Sequence, residues 1–62
     1  MPLLQSLKRL REERGVGMRE LSAKSGVSAD SISDFEELRR IASERTARRL
    51  AGALGVRAKD IE

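Results

Sequence analysis

The stretch MRELSAKSGVSADSISDFEE, Met18 to Glu37, limits what this chain can fold into more than any other. It holds two short helical patterns that meet at Gly26. A tight turn at that point needs a residue free to take a positive φ, and glycine does so without a Cβ clash. Leu21 with the small Ser22 and Ser25 marks the inner face of the first helix, and Ile32 and Phe35 follow at three-residue spacing on the second. Ser28 is a good N-cap for that second helix. Val27, between turn and cap, is placed to fill the angle between the helices. Small side chains at Ser22 and Ser25 let the helices approach closely, and large ones would push them apart.

Helix, glycine turn, helix is the helix-turn-helix pattern, whose second helix can lie in the DNA major groove. The flanking sequence reads as all-α. Leu3, Leu4, Leu7 and Leu10 form one apolar stripe of a first helix, with Pro2 in its first turn and Gly15 as the residue just past its end. Helix 2 runs from about Met18 to Ser25 behind Gly17, a permissive N-cap, and helix 3 from about Ala29 to Glu36 or Glu37. The connection LRRIAS, Leu38 to Ser43, has no Gly or Pro to enforce a turn. Ser43 caps helix 4, whose Ala47, Leu50, Ala51 and Leu54 make a core face. Gly52 lies mid-helix, costs ~1 kcal/mol relative to Ala, and is expected at a close helix contact. Gly55 ends the helix, Val16 and Val56 turn inward, and Ala58 to Ile61 form a last turn that docks Ile61. The expected architecture is a compact four- to five-helix domain over residues 1–62, with its motif at about 18–37.

Composition removes several function classes. A chain of 62 residues buries only ~60% of its unfolded surface, so its stability margin is thin. Without Cys or His there is no disulfide framework and no Cys/His metal site. The single aromatic, Phe35, argues against a stacking platform for single-stranded nucleic acid. No apolar run approaches the ~20 residues of a membrane span and the amino terminus does not read as a signal peptide, so a soluble cytoplasmic protein is expected. A net charge of +3 favours an anionic partner, though not strongly.

The residues resemble the phage-repressor and Cro type of helix-turn-helix domain, the XRE family, over nearly the whole chain. The likeness rests on LKRLREERGV (Leu7 to Val16), RELSAKSGVS (Arg19 to Ser28), ISDFE (Ile32 to Glu36) and LAGALGV (Leu50 to Val56). Members of the family are mostly transcription regulators that bind operator DNA as two-fold dimers. The resemblance therefore implies double-stranded DNA as partner, a homodimer at least on DNA, and neither cofactor nor metal. It implies that Arg11 pairs with Glu36 at the end of the recognition helix. Ala29, Asp30, Ser31 and Asp34, with Ser33 bordering them, match the positions where the family reads bases. Met18, Arg19, Ser28, Arg39, Arg40 and Arg45 match or neighbour positions that touch DNA backbone, and Arg48, Arg49 and Arg14 extend that cationic rim. Met18 departs from the glutamine common there and cannot donate its hydrogen bond, so it reads sooner as an apolar lid at a helix start. Leu38 stands where many relatives have glycine, and Ala42 where many have proline.

The recognition helix itself is unexpectedly acidic. From Gly26 to Leu38 there are four acids and no base, leaving 13 bases against six acids elsewhere. Asp can accept from cytosine N4–H2, yet it repels the phosphates that flank the groove. A competing reading thus makes helix 3 a docking face for a basic protein, as in an antirepressor or antitoxin. Leu38 and Ile41 read either as core under the loop or as part of a dimer surface. Enzymatic activity is the weakest option, because two aspartates on one helix supply too few ligands or catalytic groups.

Overall fold

The structure, a computed structural model, describes residues 3–62. Four α-helices follow one another: α1 (Leu7–Glu13), α2 (Met18–Ser25), α3 (Ala29–Glu36) and α4 (Glu44–Leu54), closed by a 3-10 turn at Ala58–Ile61. The fold is all-α, with no strand among the described residues. Leu4, Leu7, Leu21, Ile32, Leu50 and Ile61 are fully buried, so the first segment, all four helices and the terminal turn meet in one core. Each such side chain contributes ~1.5–3 kcal/mol on burial.

Local chemistry explains most of the boundaries. Ser28 Oγ accepts Ser31 N–H at 3.2 Å and Ser43 Oγ accepts Thr46 N–H at 3.1 Å, so α3 and α4 each start on a serine cap. Gly26 takes φ 75° at the end of α2, and Ser25 Oγ accepts Val27 N–H at 3.1 Å across the turn. Helix α1 ends with Gly15 at φ 66°, where Val16 N–H reaches Arg11 O and Gly15 N–H reaches Glu12 O. These paired bonds make the left-handed helix stop that favours glycine. Helix α4 repeats it with Gly55 at φ 72°.

Three expectations change. The first helix starts at Leu7, and Leu3 to Ser6 is not helical: Ser6 N–H is drawn to Ile61 O at 3.0 Å, which seats Leu4 in the core and leaves Leu3 exposed. The expected place of Pro2 falls outside the described residues. Gly52 is exposed, and a Cβ there would meet nothing within 4 Å, so no close helix contact requires it. Leu38 and Ile41 are 46% and 57% exposed, which removes the core alternative for both.

Helix α3 ends without a glycine. Leu38 itself takes φ 59°, with Leu38 N–H on Phe35 O at 3.2 Å and Arg39 N–H on Asp34 O at 2.8 Å. A leucine in that region costs ~1–2 kcal/mol, here held by the same two-bond stop that α1 and α4 build on glycine. The stop turns the chain sharply back along α3, and that reversal shapes the site.

Candidate nucleic-acid interface

The inner side of α3 is fixed by Ile32 and Phe35 in the core and by an ion pair to α1. Arg11 donates through Nε to Glu36 Oε2, through Nη2 to Glu36 Oε1 at 3.1 Å, and through Nη1 to Val16 O at 3.0 Å. The Glu36 side chain is 1% exposed and that of Arg11 12%. The hydrogen bond to Glu36, aided by the charge attraction, raises Arg11 above its ordinary value even though burial opposes the charge. One guanidinium thus joins α1, the loop at Val16 and the last turn of α3.

With that side buried, helical geometry sends Asp30 and Asp34 to the outer face one turn apart. Asp30 is exposed, while Ala29, Ser31, Ser33 and Asp34 are half-buried. Asp34 is not the uncompensated acid that its surroundings in the sequence suggest. Arg39 donates through Nε to Asp34 Oδ1 at 3.1 Å and through Nη2 to Ser33 Oγ at 3.3 Å. From the other flank, Arg40 donates through Nη1 to Ser31 Oγ at 3.1 Å, with the same nitrogen 3.9 Å from Asp34 Oδ2. The Arg40 guanidinium carbon lies 5.0 Å from the centroid of the Phe35 ring, a cation–π arrangement. Two arginines from beyond the helix therefore straddle one carboxylate on its outer face, and that half of the face carries net positive charge. Sequence reasoning missed this clamp, because its spacings of five and six residues cross the turn at Leu38 and follow no helical period.

The remaining candidates fall around this face. Met18 is half-buried and packs against the core. Arg19, in the first turn of α2, and Ser28, the cap of α3, are exposed. Arg45 is exposed near the start of α4, and one turn on, Arg49 Nη1 lies 3.9 Å from where a Cβ on Gly26 would stand, beside the motif's turn. Among the described residues Arg14, Arg19, Arg45, Arg48 and Arg49 have no carboxylate within ion-pair distance. No cluster of acidic residues able to hold a metal ion occurs among the described residues, and no helix is long and apolar enough to cross a membrane.

A family model described as Helix-turn-helix matches residues 7–61. The chain belongs to the Cro/C1-type XRE helix-turn-helix family. No curated protein matches it. As an XRE domain it is a DNA-binding regulator, from a family that is generally not enzymatic. The helix-turn-helix of this XRE domain is α2 and α3, and the outer face of α3 is the surface just described.

Proposed function

We propose that this domain is a sequence-specific transcription regulator, a cytoplasmic repressor that inserts α3 into the major groove and binds its operator as a two-fold dimer. The observation that carries this reading is the outer face of α3: a short helix anchored on its inner side, with polar residues outward and arginines around it. Ala29, Asp30, Ser31, Ser33 and Asp34 are the side chains nearest the base edges in this arrangement. Arg19, Arg45 and the α3 cap at Ser28 lie toward the phosphates, with Met18 acting as a packed support rather than a donor. Phosphate contacts then supply most of the affinity and make it steeply salt-dependent. The exposed pair Leu38 and Ile41 is the apolar surface best suited to a dimer contact. Two half-sites would lie about one helical turn apart.

The clamp on Asp34 weighs against the competing reading, a basic protein docked on an acidic helix. Arg39 and Arg40 already occupy the carboxylate that such a partner would seek. The deciding experiment is fluorescence anisotropy of the purified domain against duplex DNA from upstream of its own gene, at several salt concentrations. Binding that resists competitor DNA and weakens steeply with salt supports the regulator. Binding no tighter than to random duplex refutes sequence-specific recognition and turns the search to a protein partner.

A further inference from the structure

We propose that Arg39, although it lies beyond the recognition helix, is the guanine-reading side chain of this domain, and that Asp34 is its positioning residue rather than a reader. The inference rests on the proposal that α3 faces the major groove.

The geometry of the Arg39 guanidinium carries it. Arginine has five N–H donors in a planar fork. The Nε edge is engaged by the protein itself: Nε donates to Asp34 Oδ1 at 3.1 Å and the adjacent Nη2 to Ser33 Oγ at 3.3 Å. The end of the fork is a second edge: Nη1 makes no protein hydrogen bond among the described residues, and beside it Nη2 has one N–H beyond the one given to Ser33. That edge is the one that fits guanine O6 and N7 bidentately. The side chain is 57% exposed, so the free edge is open to a ligand. Backbone geometry reinforces the hold, because Arg39 N–H also donates to Asp34 O at 2.8 Å. Arg39 is thereby tied twice to Asp34, in the last turn of the outer face.

Arg40 does a different job. Its Nη1 is engaged by Ser31 Oγ, and its plane rests on Phe35, which is anchored in the core. It brings a second positive charge to Asp34 from the opposite flank, so the carboxylate reaches the groove already compensated. This resolves the paradox of an acidic recognition helix. Asp34 meets DNA not as a free anion among phosphates but as the brace of a cation, and an arginine held in its binding geometry loses little rotamer freedom when it reads a base.

The test is selection from a randomised duplex library by the full chain and by three variants, Arg39→Ala, Arg39→Lys and Asp34→Asn. Affinities of the winning duplex and of its single-base changes are then measured at two salt concentrations. The wild type is expected to select a guanine at one position of each half-site. Arg39→Ala should lower the preference for that guanine by roughly 5- to 150-fold while leaving other positions intact. Arg39→Lys should keep the charge and still lose part of the preference, since an ammonium has no planar fork for Asp34 and Ser33 to hold in the reading pose. Asp34→Asn should loosen the same position while strengthening binding to random duplex, because it removes a negative charge. Melting curves of all three should stay near wild type, as neither side chain replaced belongs to the apolar core.

Two outcomes overturn the inference while leaving the regulator in place. Arg39→Ala could weaken every duplex equally and lower the salt slope by about one, which marks a phosphate contact. Or Asp34→Asn could abolish preference at a G·C pair that Arg39→Ala retains, which makes Asp34 the direct reader. If the wild type selects no sequence at all, the proposed function fails and the inference with it.

Discussion

Replacing Arg11 by methionine tests the claim that a single buried pair fixes the pose of α3. Methionine keeps the aliphatic volume and removes three donors at once: two to the Glu36 carboxylate and one to Val16 O. What remains is a carboxylate whose side chain is 1% exposed, without its cation. Removing one partner of such a pair costs ~3–5 kcal/mol. At ~0.05–0.15 kcal/mol per residue, a chain of 62 residues holds a total of only ~3–9 kcal/mol. Arg11→Met should therefore leave the domain marginally folded or partly unfolded at 25 °C. The measurement is urea denaturation followed by far-ultraviolet circular dichroism, since the chain has neither Trp nor Tyr to report by fluorescence. The companion variants are Glu36→Leu and the double replacement. If the penalty comes from the stranded charge, the double variant should be more stable than Arg11→Met alone, with a coupling above ~1 kcal/mol. A loss below ~1 kcal/mol for Arg11→Met, or strict additivity in the cycle, would refute the reasoning.

Three further outcomes follow from features already described. Gly52→Ala, at an exposed helical position where a Cβ meets nothing within 4 Å, should gain ~0.5–1 kcal/mol; the melting temperature, which moves ~4–8 °C per kcal/mol in a domain this small, should rise accordingly. Ser43→Ala deprives Thr46 N–H of its acceptor and should cost ~0.5–2 kcal/mol by the same denaturation assay. Arg45→Ala should weaken binding to all duplexes alike and reduce the salt slope by about 0.9 in an anisotropy titration, without altering base preference.

What the sequence discloses here is what neighbouring residues decide among themselves. Ser28 and Ser43 as caps, and Gly15, Gly26 and Gly55 as left-handed stops, are local chemistry, and each is legible from a few adjacent letters. The core faces of α2, α3 and α4 follow from helical period. The errors arise where distant residues intervene. Leu3, Leu4, Leu7 and Leu10 have helical spacing, but the bond from Ser6 N–H to Ile61 O holds the first of them in a non-helical segment. Leu38 carries a stop normally signalled by glycine, so nothing in its identity announces the reversal that follows. The site was least legible for the same reason. Asp34 looks like an isolated acid until that reversal brings Arg39 and Arg40 back beside it.

The stop at Leu38 also fixes what counts as a transferable part. Grafting Ala29–Glu36 alone onto another scaffold would move a helix with three acids and no base, stripped of the cations that make its surface compatible with DNA. The smallest segment that keeps its chemistry runs from the cap at Ser28 through Arg40, and the left-handed residue inside it is as much a component as any side chain. For this domain, comparing recognition surfaces by helix sequence alone would compare the wrong residues.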